Sequence, residues 1–210
     1  VAVTDIVDTE TTVNIIKQAG GEAIGVHCDV TDPDNIKAMV AETVSTFGKL
    51  DILVNNAALF ADLKQGSFLD IDEAEWDRVM QINTRGVFSC VKAAVPEMKR
   101  NGYGKIVNIA SGTVFKGTPM LLHYVSSKGA QIAFTRALAR EVGDDGITVN
   151  CIAPGLTMSE KVVDDPQWTA VKDGNTASRA IKREQMPEDL IGALVFFSSS
   201  DSDFITGQTL

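Results

Sequence analysis

At residues 105–110 the chain reads Lys-Ile-Val-Asn-Ile-Ala, and at residues 148–152 it reads Thr-Val-Asn-Cys-Ile. Each run has the length and the apolar content of one strand that is buried on both faces. Between them, residues 122–142 show a helical pattern that ends at Gly143. Two buried strands joined by one helix form a βαβ unit, in which the strands run parallel. The stretch therefore predicts a parallel sheet covered by helices.

The same alternation extends toward the start of the chain. A helix is predicted from residue 36 to Phe47, where Gly48 stops it, and a longer helix from about Asp72 to Arg100. Further buried strands are predicted at Val1–Asp5, Ala23–His27 and Ile52–Asn55. We therefore predict one α/β domain over residues 1–210 with a Rossmann-like, doubly wound parallel sheet. Such sheets bind their ligands at the carboxyl ends of the strands.

Residues 159–186 depart from this pattern. They are polar and weakly periodic, and they are bounded by prolines in Asp165-Pro166 and Met186-Pro187. Long irregular segments inside compact domains commonly cover a binding site. We predict that this segment is a substrate lid within the domain.

The composition excludes several classes of protein. The 210 residues carry a formal net charge of −9, which gives no general attraction to nucleic acid or anionic lipid. No apolar run reaches the roughly 20 residues of a membrane span, and the start lacks a signal-peptide pattern. We expect a cytoplasmic protein. The odd number of scattered cysteines (Cys28, Cys90, Cys151) predicts reduced thiols in the core, and the two histidines form no metal-ligand spacing with them.

Four polar residues suggest proton-transfer chemistry. Tyr124 and Lys128 are four residues apart on one predicted helix, so both side chains can lie on the same face. A fixed ammonium near a phenol lowers the phenol pKa and favours proton exchange near neutral pH. Ser111 directly follows a predicted strand and could hold a substrate oxygen. Asn83 falls on the apolar stripe of the long helix, where a buried amide needs polar partners.

Together these residues resemble the short-chain dehydrogenase/reductase family over nearly the whole chain. Family members carry an Asn-Asn-Ala-Gly turn after the fourth strand, an Asn in the next helix, a Ser about a dozen residues before Tyr-x-x-x-Lys, and a Pro-Gly after the sixth strand. The corresponding residues here are Asn55-Asn56-Ala57-Ala58, Asn83, Ser111, Tyr124 with Lys128, and Pro154-Gly155. The resemblance implies an oxidoreductase that moves hydride between a nicotinamide cofactor and a carbinol or carbonyl carbon.

The resemblance also implies a role for each catalytic residue. Tyr124 would be the general acid/base, and Ser111 would orient the substrate oxygen. Lys128 would bind the nicotinamide ribose and lower the Tyr124 pKa, and Asn83 would support a water that leads protons to bulk solvent. A homodimer or homotetramer is implied as well.

Further residues are implied to bind the cofactor. Besides Tyr124 and Lys128, the implied contacts are Asp29, Val30, Asn56, Ala57, Ala58, Pro154, Gly155 and Thr157. Asp5 ends the second strand of the family pattern, where a carboxylate accepts hydrogen bonds from the ribose hydroxyls and repels a 2′-phosphate. We therefore expect NAD rather than NADP.

The sequence departs from the family pattern at its start. The family's first strand and Gly-rich phosphate loop would precede Val1. That strand is central in the 3-2-1-4-5-6 order, so its omission would leave the second and fourth strands without their shared neighbour. We expect the chain to be a fragment of a longer protein. In addition, Ala58 replaces the usual Gly beside the cofactor, and the residues around Thr157 differ from the commoner arrangement.

The residues expected around the substrate are apolar and offer no paired cation for a carboxylate or a phosphate. They are Leu59, Phe60, Val114, Phe115, Met120, Leu121 and Leu122. This set favours a small hydrophobic ketone or secondary alcohol, and within the family the chain most resembles secondary alcohol dehydrogenases of the 1-phenylethanol dehydrogenase type. Two alternatives stay open: an NADP-dependent 3-oxoacyl-carrier-protein reductase, and a catalytically silent nucleotide-binding or scaffold protein on the same fold.

Overall fold

Parallel strands alternate with helices along the chain. A computed structural model describes all residues 1–210. The strands are β1 (Ala2–Asp5), β2 (Ile24–His27), β3 (Ile52–Asn55), β4 (Gly104–Ile109) and β5 (Ile147–Ile152). The α-helices are α1 (Glu10–Gln18), α2 (Pro33–Phe47), α3 (Glu73–Met80), α4 (Gly86–Asn101), α5 (Thr113–Lys116), α6 (Leu122–Val142), α7 (Glu160–Val163), α8 (Pro166–Ser178) and α9 (Ile191–Ser198). The predicted α/β fold is confirmed.

The strands form two parallel sheets. One contains β1 and β2, and the other has the order β3-β4-β5. β1 and β3 each pair on one side only, which is the break expected when a central strand does not lie between them. Ile52 and Val54 of β3 are accordingly 42% and 37% exposed. Asn55 is in register with Asn108, so the carboxyl ends of β3 and β4 lie at the same edge of the sheet.

A shared hydrophobic cluster holds the two sheets together. Val26 and Cys28 from β2 and the residue after it pack with Ile36 of α2 and Cys90 of α4, and the partly buried Leu53 of β3 packs against this cluster. Helices α2 and α4 therefore bridge the break between the sheets. Cys28, Cys90 and Cys151 are all buried free thiols, so the expectation that they belong to the core is confirmed.

The long helix expected from about Asp72 to Arg100 is interrupted. Asp72 caps α3 by accepting a hydrogen bond from Ala74 N, but residues Gln81–Arg85 form a π-helical turn before α4 begins. A π-turn inserts one extra residue into the helical repeat, and such turns are frequent at functional sites. Apolar periodicity predicted the length of this segment and could not reveal the inserted residue. Asn83 lies in the turn.

The segment predicted as a lid, residues 159–186, is more regular than its sequence suggests. It contains α7 and α8, and α8 starts with Pro166 after the capping side chain of Asp165. Only one residue of α8, Trp168, is buried, which explains the weak periodicity. The Asp-Pro pair that bounded the segment in the sequence was in fact a helix-start signal. No helix of the protein is both long and apolar enough to cross a membrane.

Candidate active site

A cavity of about 650 Å³ lies beyond the carboxyl ends of β3, β4 and β5. Residues that follow each of these strands line it together with one face of α6. Of the residues singled out in the sequence, the cavity is lined by Asn56, Ala58, Ser111, Tyr124, Lys128, Pro154, Gly155 and Thr157. The remaining ones do not line it, namely Asp5, Asp29, Val30, Ala57 and Asn83. Three strand ends and one helix thus bring three of the four candidate proton-transfer residues, Ser111, Tyr124 and Lys128, into one space.

The Tyr124 phenol is buried beside the cavity and is only 6% exposed. Burial raises its pKa to about 12, and the Ser111 hydroxyl next to it offsets part of the rise. The expected lowering of this pKa by Lys128 is therefore wrong for the protein in this state. Desolvation of the phenolate outweighs the distant cation, because the Lys128 ammonium lies 5.8 Å from the centre of the Tyr124 ring. Tyr124 carries its proton at neutral pH.

The Lys128 ammonium is held at the end of β4. Its Nζ donates a hydrogen bond to Ile109 O at 2.6 Å, and the side chain is 2% exposed. Burial lowers its pKa to about 8. A buried ammonium normally has an acidic partner, and none binds Nζ here. Its other two protons fit neutral acceptors such as the hydroxyls of a ribose.

Ser111 is oriented by a residue that the sequence did not single out. Its Oγ accepts hydrogen bonds from the backbone N of Thr113 at 3.3 Å and from Thr113 Oγ1 at 3.0 Å. With its lone pairs used in this way, the Ser111 hydroxyl can donate its own proton to a substrate oxygen. Gly112 packs against Pro154, and its N donates to Pro154 O at 2.7 Å. This contact fixes the turn against the residues that follow β5.

Asn83 binds the loop that follows β3. Its Oδ1 accepts from Leu59 N at 2.8 Å, and its Nδ2 donates to Leu59 O at 3.1 Å and to Ser127 Oγ at 3.1 Å. The polar partners that a buried amide requires are thus present. Because Asn83 is fully buried and does not line the cavity, its geometry is that of a positioning residue. Its part in a proton path stays a prediction.

A polar stripe on α6 supports this arrangement, and sequence reasoning missed it. Ser127, Gln131 and Thr135 recur every four residues, and each is at most 1% exposed. Gln131 Nε2 donates to Asn83 O at 2.5 Å, and Thr135 Oγ1 accepts from Asn108 Nδ2 at 2.9 Å. The signal was present as polar residues at helical spacing on a face that should be apolar. The stripe ties α6 to the π-turn and to β4.

Of the other implied cofactor residues, Ala57 follows β3, whereas Asp5, Asp29 and Val30 lie at the ends of β1 and β2. Asp5 accepts hydrogen bonds from the N atoms of Ile6 and Val7 through one carboxylate oxygen, Oδ1. Its other oxygen makes no hydrogen bond in the protein. Asp29 binds Thr31 N and Oγ1, both at 2.8 Å, and these bonds lower its pKa. Val30 packs closely on Gly86, because a Cβ added to Gly86 would lie 2.9 Å from Cγ2 of Val30.

The cavity wall was only partly predicted. Phe60, Met120 and Leu121 line it. Val114 and Phe115 instead border a separate depression on the outer face of α6, and Leu59 and Leu122 do not line the cavity, so these four assignments are wrong. The missed apolar wall comes from the residues after β5: Leu156, Val162, Trp168, Val171 and Leu190. Their positions depend on how that segment folds back, which local pattern does not encode.

One departure from the family pattern can be judged from the backbone. Ala58 has no positive φ angle, so a glycine is not required there.

Met120 is the one residue other than glycine with a positive φ, at 69°. A left-handed conformation is costly for a side chain of this size, and here it lies at the cavity wall, where Met120 O accepts a hydrogen bond from Gly66 N at 3.1 Å.

Comparison with known sequences finds reductases and dehydrogenases that are similar to this chain over most of its length. A family model described as enoyl-(acyl carrier protein) reductase matches residues 1–210. The chain is 36% identical over 201 residues to a 3-oxoacyl-[acyl-carrier-protein] reductase of Staphylococcus aureus, covering 96% of this chain and 80% of that protein. It is 35% identical over 206 residues to the BbsD subunit of (2S)-[(R)-hydroxy(phenyl)methyl]succinyl-CoA dehydrogenase of Thauera aromatica, covering 95% and 78% respectively.

Solved structures give the same relationship. An NAD+-bound xylitol dehydrogenase superposes with a TM-score of 0.89 at 31% identity, covering 100% of this chain and 86% of that one. A gluconate 5-dehydrogenase from Burkholderia cenocepacia, in complex with NADP and tartrate, superposes with a TM-score of 0.89 at 29% identity, covering 100% and 82%. The chain therefore belongs to the short-chain dehydrogenase/reductase family, and it is an NAD(P)-dependent oxidoreductase that acts on CH–OH groups.

Proposed function

We propose that the protein interconverts a small hydrophobic ketone and its secondary alcohol with NAD(H). One observation carries the proposal: the Ser111 and Tyr124 hydroxyls both line an otherwise largely apolar cavity, with the Lys128 ammonium beside them. Two hydroxyls at one point can hold a carbonyl oxygen, and the apolar remainder of the wall accepts the substituents of the ketone. Asn83, Ser111, Tyr124 and Lys128 are the residues on which activity depends.

Each of these residues has a separate task. Tyr124, which is protonated at neutral pH because its pKa is about 12, gives its proton to the carbonyl oxygen as the ketone is reduced. Ser111 donates a hydrogen bond to the same oxygen and holds it against the phenol. Lys128 would bind the nicotinamide ribose and Asn56 would line the cofactor, while Asn83 keeps the loop around Leu59 in place. When bound, the nicotinamide supplies the hydride in reduction and takes it in oxidation.

The preference for NAD rests on Asp5. The free Oδ2 of this carboxylate is suited to a ribose hydroxyl and repels a 2′-phosphate. Asp29, Val30, Ala57, Ala58, Pro154, Gly155 and Thr157 complete the proposed cofactor contacts. Solved relatives carry either cofactor, NAD in the xylitol dehydrogenase and NADP in the gluconate 5-dehydrogenase. These relatives do not decide the cofactor, so the proposed preference rests on Asp5 alone, and Asp5→Ser should weaken it.

A second candidate is an NADP-dependent 3-oxoacyl-[acyl-carrier-protein] reductase. It is favoured by the identity to the Staphylococcus aureus enzyme of that name, and Lys116 at the cavity wall offers a cation to an anionic carrier. The apolar wall of the cavity favours the smaller ketone. A catalytically silent scaffold is disfavoured, because a scaffold has no need of a buried Lys128 whose ammonium lacks an acidic partner.

The proposal extends to the setting of the enzyme. Three free, buried thiols suit a reducing, cytoplasmic location. We expect a homodimer or homotetramer that acts on small molecules, in which residues 159–186 form a lid over the substrate. Size-exclusion chromatography with light scattering measures the oligomeric state.

The test is the oxidation of NADH and NADPH by the intact protein over aryl ketones, aliphatic ketones and 3-oxoacyl thioesters. Turnover of ketones with NADH supports the proposal. Turnover only of thioesters, or only with NADPH, selects the second candidate. No turnover with any substrate favours the scaffold.

A further inference from the structure

Residues 56–58, which follow β3, lie at the cavity and make no hydrogen bond within the protein. Asn56 and Ala58 line the cavity, and all three residues are exposed. Their backbone N and O atoms have no partner, and neither has the Asn56 side chain. The position of this short segment therefore depends on its two neighbours, Asn55 before it and Leu59 after it.

The first neighbour is bonded to α6 by way of β4. Asn55 Nδ2 donates to Asn108 Oδ1 at 2.8 Å, and Asn108 Nδ2 donates to Thr135 Oγ1 at 2.9 Å. The Thr135 hydroxyl in turn donates to Gln131 O at 2.8 Å. Asn55 is 7% exposed and the other three residues are at most 1% exposed, so these bonds form away from solvent.

The second neighbour is bonded to the same residue of α6. The Asn83 side chain binds both backbone groups of Leu59, and the Asn83 carbonyl oxygen accepts from Gln131 Nε2 at 2.5 Å. Gln131 thus joins the two series of bonds, one through its backbone and the other through its side chain. Both ends of residues 56–58 are tied to one point of α6, the helix that also carries the catalytic phenol.

The Gln131 amide uses only its donor half. Its Oε1 is buried and has no partner. A buried acceptor without a partner lowers stability, which offsets what the Nε2 bond contributes to the fold. The bond to Asn83 is therefore better explained by what it positions than by what it adds to stability.

We propose that Gln131 is a positioning residue for cofactor binding, because it sets where residues 56–58 lie relative to α6. The inference rests on the proposed binding of NAD(H) in this cavity. Without the Gln131 bond the segment takes up further positions, and the cofactor has to order it on binding. Ser111, Tyr124 and Lys128 keep their own hydrogen bonds, so the proton-transfer step does not depend on Gln131.

The test is a fluorescence titration of the intact protein and of Gln131→Met with NADH, repeated with NADPH. Methionine has a similar length and no hydrogen-bond donor. The Kd should rise by roughly 2- to 12-fold, the equivalent of one hydrogen bond, while kcat at saturating cofactor stays the same. Because the variant also loses the unpartnered Oε1, its Tm should stay within about 3 °C of that of the unaltered protein. A merely structural role would lower Tm and kcat together and leave the Kd unchanged.

Thr135 supplies a second variant with a conservative partner, and these decide the question if Gln131→Met does not fold. Thr135→Val breaks both bonds of the hydroxyl and should raise the NADH Kd by a similar factor, whereas Thr135→Ser keeps the hydroxyl and should preserve the Kd. Thr148→Val is the matched control, because the Thr148 hydroxyl is also buried and has no partner.

Hydrogen exchange gives a readout without cofactor. The amide of Leu59, which donates to Asn83 Oδ1, should exchange faster in Gln131→Met and at the unaltered rate in Thr148→Val.

The outcomes separate the two proposals. An NADH Kd that Gln131→Met and Thr135→Val leave unchanged, or that Thr148→Val raises equally, overturns the positioning role and leaves ketone reduction standing. A raised Kd in a protein that turns over no ketone supports the positioning role and overturns the proposed function. If the unaltered protein binds neither NADH nor NADPH, both are overturned.

Discussion

Two side-chain amides hold the same loop, residues 56–66, from opposite walls of the cavity. Asn83 in the π-turn binds both backbone groups of Leu59. Gln167 in α8 accepts from Gln65 N at 3.2 Å and donates to Leu63 O at 3.0 Å. Asn83 is fully buried, whereas Gln167 is half-buried. The Asn83 side chain is therefore more deeply buried than that of Gln167, and the Gln167 bonds should be the easier of these two clamps to release.

The two walls that carry these amides also differ in how many buried polar side chains they contain. The catalytic wall is built from β4, α6 and the π-turn, and its buried polar side chains bind one another. The opposite wall, residues 159–186, contributes the buried Val162 and Trp168 to a hydrophobic cluster with Tyr124. Its remaining contacts are half-buried hydrogen bonds and surface ion pairs such as Arg183 with Asp189. Surface ion pairs contribute little to stability. We therefore expect residues 159–186 to be the less rigid of the two walls, apart from their two buried side chains.

The largest effect is expected from the catalytic wall itself. Tyr124→Phe removes the proton donor and should lower kcat by roughly 10²- to 10⁴-fold, while cofactor affinity stays nearly unchanged. Steady-state kinetics together with a cofactor titration measure both quantities. The control is Tyr103→Phe at the only other tyrosine, which binds Asp203 at the surface and should keep full activity. Unchanged turnover in Tyr124→Phe would remove this residue from the mechanism.

The next effect tests the buried clamp. Asn83→Ala leaves the N–H and the C=O of Leu59 without partners and should lower the free energy of unfolding by roughly 2–4 kcal/mol. Urea denaturation measures it. Catalysis should fall with it, because the loop that carries Ala58 and Phe60 loses its anchor. A loss below about 0.5 kcal/mol, typical of surface positions, would show that the loop does not depend on this clamp.

The third effect depends on pH. Burial lowers the pKa of Lys128 to about 8 from an ordinary value of 10.5. Between these pH values the unfolded chain binds more protons than the folded protein, so stability rises as the pH rises through this window. Below pH 8 the buried ammonium costs on the order of 3 kcal/mol. Lys128→Met removes that cost but leaves Ile109 O unpaired, which costs about 1–3 kcal/mol.

The stability of Lys128→Met should therefore cross that of the unaltered protein. The variant should be about 1 kcal/mol more stable at pH 7 and about 2 kcal/mol less stable near pH 10.5. It should be inactive at both pH values. The Tyr124 pKa of about 12 affects stability only above pH 10, because a raised phenol pKa contributes stability that is lost as the pH passes through it. A stability difference that is the same at pH 7 and pH 10.5 would contradict the buried ammonium.

The contrast between the walls also explains what the sequence could predict. Helix α6 begins and ends at the residues expected, Leu122 and Val142, because apolar periodicity and a terminal glycine are local signals. Ser111, Tyr124 and Lys128 line one cavity because strand ends and helix spacing determine where they lie. The direction of the Tyr124 pKa shift was missed, since burial depends on everything that packs around the phenol.

Local sequence patterns could not predict the contacts of residues 159–186 or the hydrogen-bond partners of Asn83. Trp168 lies against Phe60, more than a hundred residues away along the chain. The periodicity within α8 does not predict that contact. Asn83 was expected to need partners, but the identity of those partners follows from the inserted residue of the π-turn. Sequence reasoning therefore succeeds where neighbours along the chain determine the structure and fails where distant ones do.

The smallest effect is expected from the second clamp. Gln167→Ala removes the bonds to Gln65 N and Leu63 O. Gln65 is partly exposed and water can replace its lost bond, whereas Leu63 is buried, so the free energy of unfolding should fall by about 1 kcal/mol for the one acceptor left without a partner. The functional effect should appear in KM. A cover that opens more often binds the ketone less tightly, so KM should rise a few-fold while kcat stays the same or increases if product release limits turnover.

Hydrogen exchange measures the release of the loop directly. In Gln167→Ala the amide of Gln65 should exchange faster, while the amide of Leu59, still held by Asn83, should keep its protection. Thr169→Ala is the matched control on α8, because the Thr169 hydroxyl binds only Pro166 O within its own helix. If Gln167→Ala destabilised the protein as much as Asn83→Ala, the two walls would be equally rigid. Substrate would then have to enter by a route that leaves both clamps closed.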